Sequence, residues 1–213
     1  MDSTALYLDI TDLAHSTPGW VRSAFEIWTE YGLLLFGAFF LAVWWRSRRQ
    51  AGPRALALAA LAPAVTAAAY VVSEAVKSTV DEERPCRAVA GAAASLVACP
   101  PTGDWSFPSN HSALAGAAAV ALAMAVRRLA LLTVPLALLM AFSRVFVGVH
   151  YPHDVAMGLL LGGSLAALLV LALAGPAGRI AAAMRASGVP AVVWFTGPGP
   201  ARQGRNVPGC RLP

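Results

Sequence analysis

Hydrophobic side chains fill five stretches of the chain, residues 27–45, 55–76, 112–126, 129–149 and 155–175. Each is close to the roughly 20 residues an α-helix needs to cross a bilayer. The pattern therefore predicts an all-α fold, a multi-pass transmembrane helical bundle of five spans, or six if part of the N-terminal region also crosses. Residues 5–28 mix Leu, Ile, Phe and Trp with acids around Pro18 and Gly19, which suits short amphipathic helices lying on the interface. Three parts follow: an interfacial helical segment over 1–26, a membrane core over 27–176 and a tail over 177–213. The tail is rich in Gly, Pro and Arg, and its end is expected to be disordered. Alanine-rich stretches between these landmarks read as helix filler. The first residues show neither a basic n-region nor a small-residue cleavage site, so the first span is expected to act as its own insertion signal.

Charges fall in the gaps, and their signs alternate. Arg46, Arg48, Arg49 and Arg54 crowd the first gap, Arg127 and Arg128 the third, and Arg179 and Arg185 follow the fifth span. Asp81, Glu82, Glu83 and Asp104 occupy the second gap, and Asp2, Asp9, Asp12, Glu26 and Glu30 lie at or before the start of the first span. By the positive-inside rule the arginine gaps are cytoplasmic, which puts the N-terminus and the loops 77–110 and 150–154 outside a cell membrane. Composition agrees with this picture: the 213 residues are 58% hydrophobic and 13% charged, against roughly a quarter charged in a soluble domain. The net charge of +5 is then a matter of topology, and no basic face for nucleic acid is expected.

Cys86 and Cys99 bracket the stretch PCRAVAGAAASLVACP in the outer loop. An oxidising outer compartment suggests a disulfide between them, and two unpaired small residues are the other reading. Cys210 lies in the tail and is given no role.

Polar residues that a membrane chain does not need gather at the outer ends of the spans. In KSTVDEERP, Arg84 follows Lys77 by two helical turns and would share its face if the helix continued to Pro85. Lys77 is the only lysine among sixteen basic residues, which points to a compact ammonium being wanted there; a snorkelling lysine paired with Glu74 is the alternative. In PSNH, residues 108–111, Ser109 is a good N-cap, and the amides of Asn110, His111 and Ser112 would face any anion in front of the helix. In SRVFVGVHYPHD, residues 143–154, Arg144 lies inside an apolar run, where an arginine is costly and functional by default. Asp154 can reach back four residues to His150, fix its tautomer and leave the other ring nitrogen as a nucleophile. His153 reads as a surface residue, and the run 81–83 as a solvated loop face.

Three cations, a helix start, a serine, two histidines and one carboxylate form the inventory for in-line phosphoryl transfer. The cations neutralise the equatorial oxygens, one histidine attacks phosphorus and the other protonates the departing oxygen. No metal and no cofactor are called for.

These residues resemble the type 2 phosphatidic acid phosphatase family of membrane lipid phosphatases, whose signatures are KxxxxxxRP, PSGH and SRxxxxxHxxxD. The likeness runs over roughly residues 70–160, with all three signatures in order. It implies that Lys77, Arg84, Arg144 and Ser109, with the amides of Asn110 and His111, bind phosphate. It implies further that His150 forms a phosphohistidine, that Asp154 orients it and that His111 is the general acid. Asn110 stands where the family has glycine, which is expected to tighten the pocket or to add a donor to a second phosphate or headgroup. The expected substrate is a lipid phosphate or diphosphate, foremost a polyprenyl diphosphate such as the undecaprenyl carrier of cell-wall synthesis. Phosphatidate or phosphatidylglycerophosphate, and a decaprenylphosphoryl-ribose type of lipid, are the alternatives. A membrane scaffold or transporter is the competing class, and it leaves the histidines without a reason. A vanadate-dependent haloperoxidase shares the pocket but not the spans.

Overall fold

The computed structural model describes residues 3–50 and 52–197, and these form α-helices and connecting loops with no β-strand. In chain order the helices are α1 (Thr4–Ser16), α2 (Gly19–Ser47), α3 (Pro53–Lys77), α4 (Pro85–Ala88), α5 (Asn110–Ala125), α6 (Ala130–Phe146), α7 (Pro152–Ala186) and α8 (Pro190–Thr196). One 3-10 turn, Arg127–Leu129, leads into α6. Length and apolarity qualify α2, α3, α7 and the stretch Arg127–Phe146 as membrane-spanning. The third expected span falls on α5, whose 16 residues make a rod of about 24 Å, short of an approximately 30 Å hydrocarbon layer. The 13-residue α1 is too short to be a sixth span.

Being short suits α5, because α2, α3, α6 and α7 all pack against it. Its alanines are not filler. Lipid offers no hydrophobic drive for helices to associate, so small residues that let backbones approach do that work. Ala113, Ala117 and Ala121 are buried on α5, and Gly158, Gly162 and Ala166 recur every fourth residue on α7. A methyl group on Gly158 would lie 2.5 Å from the Ser109 carbonyl oxygen, and one on Gly162 would collide with the Ala113 carbonyl. The same contact locks the two helix starts together, since the Ser109 N–H donates to the Asp154 carbonyl oxygen at 3.2 Å.

The N-terminal segment departs from the expected interfacial layout. Residues 19–26 belong to α2, and α1 is docked on the bundle with Tyr7 and Ala14 fully buried. Burial, with the neighbouring Tyr151, pushes the Tyr7 hydroxyl up to about 12, so it remains a donor, and it bonds the Gly148 carbonyl oxygen at 3.0 Å. Gly148 has φ +87°, a left-handed conformation that only glycine adopts without strain. It turns the chain from α6 toward α7 just before His150, so α1 buttresses the loop carrying that residue.

At the other end, α7 runs through Pro176 to Ala186, past the expected end of the core. A proline inside a membrane helix is tolerated because neighbouring groups satisfy the freed carbonyl. Helix α8 then folds back, with Trp194 5.9 Å from Trp44 and the Arg185 guanidinium donating to the carbonyls of Ser47 and Gln50. Residues 177–197 are thus mostly helical; the remainder of the tail, with Cys210, lies outside the described residues. Cys86 and Cys99 are bonded to each other, with Cα atoms 6.1 Å apart.

The α5–α7 contact makes a prediction. Gly162→Ala is expected to lower the melting temperature in detergent by several degrees, since overpacking costs roughly 1–3 kcal/mol. Gly178→Ala, whose added methyl meets nothing within 4 Å, should melt with the wild type. Equal melting of all three proteins would count against backbone contact as the organising feature.

Candidate active site

The end of α3, the loops on either side of α4, the start of α5, the end of α6 and the turn into α7 converge on one cavity of about 450 Å³. Lys77, Arg84, Arg144, His111 and His150 all line it. Lys77 and Arg84 do not meet by sharing a helical face, because α3 stops at Lys77 and Pro85 begins α4. They meet through Asp104. Its Oδ1 accepts from Lys77 Nζ at 3.1 Å and from Arg84 Nη2 at 2.9 Å, and its backbone oxygen accepts from Arg84 Nε at 2.7 Å. Burial pushes the Asp104 carboxyl up, but the hydrogen bonds and charges of Arg84 and Lys77 outweigh this and hold it below its ordinary range. The carboxylate thus bridges the two cations at the cavity wall. Glu74, the expected partner of Lys77, lies farther off at 3.9 Å.

Arg144 is buried, donates from Nη1 to Thr29 Oγ1 at 2.8 Å and, among the described residues, has no partner for its Nε. Thr29, itself buried on α2, fixes the reach of this guanidinium. Nothing in the sequence around Thr29 marks it, since its pairing with Arg144 spans most of the chain.

His150 is 1% exposed. Burial, then the charges of Arg144, Arg84 and Lys77, push its imidazole well below the ordinary histidine range, so it is neutral at physiological pH. Asp154 Oδ2 stands 3.3 Å from Nδ1, and a carboxylate there fixes the ring proton on Nδ1. Nε2 therefore carries the lone pair, and Arg84 Nη1 donates to it at 3.1 Å. Asp154 is held in turn, its Oδ2 accepting from the Tyr151 N–H at 2.8 Å and from the Ser106 hydroxyl. Asp154, at the third position of α7, also accepts from the N–H of the N-cap residue Tyr151, so the local helix signal and the site residue coincide. Ser106 went unread in the sequence because a serine in a Pro-rich loop carries no distinguishing pattern.

The PSNH residues divide. His111 faces the cavity and, among the described residues, makes no side-chain hydrogen bond, leaving both ring nitrogens free for a ligand. Ser109 takes the N-cap position of α5, yet its hydroxyl makes no cap; it is fully buried, outside the cavity lining, and accepts from Ser112 at 3.2 Å. The Asn110 amide is turned sideways: Oδ1 accepts from Ser73 at 2.7 Å and Nδ2 donates to Glu74. It ties α5 to α3, which employs the donor that a second phosphate was expected to meet. His153 is not a surface residue. It is partly buried, with Nε2 2.9 Å from Glu82 Oε1, so the run 81–83 is not a wholly solvated face either.

A helical membrane bundle that gathers three cations and two histidines around a small cavity at one end defines a class of phosphate-handling membrane proteins. The chain belongs to the PAP2 superfamily, whose model matches residues 57–175. It is a hydrolase of the lipid phosphatase type. It is similar to the undecaprenyl-diphosphatase BcrC of Bacillus subtilis, 31% identical over 142 residues that cover 67% of each chain. It is similar too to the decaprenylphosphoryl-5-phosphoribose phosphatase of Mycobacterium tuberculosis, 42% identical over 66 residues, 30% of this chain and 35% of that one. Among solved structures, the transmembrane PAP2-type phosphatidylglycerolphosphate phosphatase of Bacillus subtilis shares the fold, with a TM-score of 0.57 over 78% of this chain and 83% of that one at 22% identity.

Two predictions follow from the electrostatics. Asp104→Asn is expected to tighten inhibition by orthovanadate about threefold or more, discounted for the partial exposure of the carboxylate, because a competing anion is removed from Lys77 and Arg84; weaker inhibition would show that Asp104 orients the cations instead. The depressed basicity of His150 means that the free base is present above its own pKa and is lost as pH falls through it. The acid limb of kcat/KM assigned to His150 should accordingly lie below pH 6.5 in a pH–rate profile.

Proposed function

We propose that this chain is a metal-independent lipid phosphate or diphosphate phosphatase working through a phosphohistidine on His150. The observation that carries the reading is the neutral His150 itself, with its proton side turned to Asp154 and its lone-pair side facing a cavity lined by three cations. Lys77, Arg84 and Arg144 take the equatorial oxygens, aided by the first-turn amides of α5, which have no intrahelical acceptor. The arriving phosphate displaces the Asp104 carboxylate and draws Arg84 off Nε2. Nε2 then attacks phosphorus, the bond to the leaving oxygen breaks and His111, protonated once the charge of the bound phosphate offsets that of the surrounding cations, delivers a proton to that oxygen. In the second half His111 takes a proton from water, the hydroxide attacks phosphorus and the P–N bond breaks to release inorganic phosphate. The three fixed cations supply the charge neutralisation that a metal would otherwise provide.

The substrate we favour is a polyprenyl diphosphate of the undecaprenyl type. The similarity to the Bacillus undecaprenyl-diphosphatase supports it, as do the lipid-length helices that border the cavity. The arginines at the opposite end of the bundle support a cell-membrane orientation with the site on the extracytoplasmic side. A second reading, a ribosyl or other glycosyl polyprenyl phosphate, draws on Glu74 and Asn110, which place a carboxylate and an amide in the cavity wall where headgroup hydroxyls could bond.

The test is phosphate release from a panel of purified lipids in detergent with excess chelator. Release from polyprenyl diphosphate far above phosphatidate and phosphatidylglycerophosphate is expected; a faster sugar-phosphate lipid would favour the second reading. His150→Ala is expected to lose on the order of a thousandfold in kcat, with His111→Ala also severely impaired. A strict magnesium requirement, or a His150→Ala protein of undiminished turnover, would sink the mechanism.

A further inference from the structure

Behind the Asp154–His150 pair lies a third imidazole, which the mechanism above leaves unused. His153 projects from the first turn of α7 to the side of Asp154 away from His150. Its Nε2 is 3.3 Å from Asp154 Oδ1 and 2.9 Å from Glu82 Oε1, and its Nδ1 is 2.7 Å from the Ser3 hydroxyl. The ring stacks on Tyr151, with centroids 5.3 Å apart and planes 13° from parallel, and Phe107 stands 6.2 Å away on its own loop. Segments from the N-terminus, the 82 loop, the 107 loop and α7 thus converge on one imidazole, which fixes its orientation.

The two oxygens of Asp154 are unequally provided for. Oδ2 receives the Tyr151 N–H, the Ser106 hydroxyl and His150 Nδ1. Oδ1 is fully buried and makes no conventional hydrogen bond among the described residues; His153 Nε2 is the polar group beside it. A carboxylate buried with one oxygen uncompensated pays a large desolvation cost and tends to rotate or to take up a proton, and either change spoils its service to His150. The N–H at His153 Nε2 is donated to Glu82, which keeps the proton on that nitrogen, and the positive end of this bond lies beside Oδ1, where it opposes both changes.

We propose that His153, held by Glu82, is a positioning residue for the hydrolysis: it holds the buried Asp154 carboxylate ionised and aimed at His150, in a chain that runs Glu82, His153, Asp154, His150. The proposal rests on the reading of His150 as nucleophile given above. It extends the machinery to two residues outside the cavity lining, neither of which touches substrate.

The test uses the full chain in detergent with the lipid diphosphate and with orthovanadate as a probe of the anion pocket. His153→Ala is expected to lower kcat roughly tenfold or more while KM and vanadate inhibition stay within about twofold, since the cations that bind the phosphate are untouched. His153→Gln returns an N–H toward Asp154 and should regain several-fold over alanine. His153→Phe keeps the stack between Tyr151 and Phe107 without the N–H and should behave like alanine. Turnover of His153→Ala equal to wild type overturns the proposal. Recovery by Phe but not by Gln also overturns it, because the ring would then act by packing alone. If the wild-type chain hydrolyses no lipid phosphate, the phosphatase reading fails and this proposal with it; hydrolysis by the wild type that is indifferent to residue 153 removes only the proposal.

Discussion

Where α5 meets α7, no side chain separates the two backbones. Gly158 and Gly162 lie against the carbonyls of Ser109 and Ala113, and the Ser109 N–H reaches across to the carbonyl of Asp154. The first turn of one helix supplies His111, and the first turn of the other supplies Asp154, so the spacing of these two residues is set by main-chain contact. Main chain is stiffer than any rotamer, and a site that must hold fractions of an ångström gains from being fixed this way. In a bilayer this contact is also the economical one, because packing between small residues is among the few forces that bring helices together.

Around this fixed edge, the charges settle one another. Three cations line a cavity beside a neutral histidine, and Asp104 bridges two of them, offsetting one of their charges. The histidine is neutral because those cations and its burial make a further positive charge unfavourable. The same field that keeps Nε2 unprotonated favours an anion in the cavity, so in the proposed reaction nucleophile activation and substrate binding would share one cause. Asp104 completes the arrangement as an internal anion, and it lies in a loop whose approach is constrained by the Cys86–Cys99 bond.

The N-terminal helix enters this economy from outside the membrane core. Tyr7 bonds the Gly148 carbonyl at the turn before His150, and Ser3 bonds His153. Both contacts lie on the side of the site away from the cavity. An amphipathic reading of residues 5–28 saw a surface-lying segment, whereas its buried face is the part that braces the loop carrying His150.

Much was legible in the sequence alone. Apolar runs located α2, α3, α6 and α7, and the spacing of KSTVDEERP, PSNH and SRVFVGVHYPHD singled out Lys77, Arg84, His111, Arg144, His150 and Asp154, because spanning length and costly polar residues in apolar surroundings are local signals. Asp154 lies one helical turn from His150, so even their hydrogen bond could be read from the chain. Tertiary structure decided what depends on distant segments: Asp104 between Lys77 and Arg84, Thr29 on Arg144, Glu82 and Ser3 on His153, and the diversion of Asn110 to Glu74. It also turned the alanines and glycines of α5 and α7 from filler into the contact that spaces the site. A small residue has no pattern of its own; its meaning is the neighbour it lets come close, and only the folded chain supplies that neighbour.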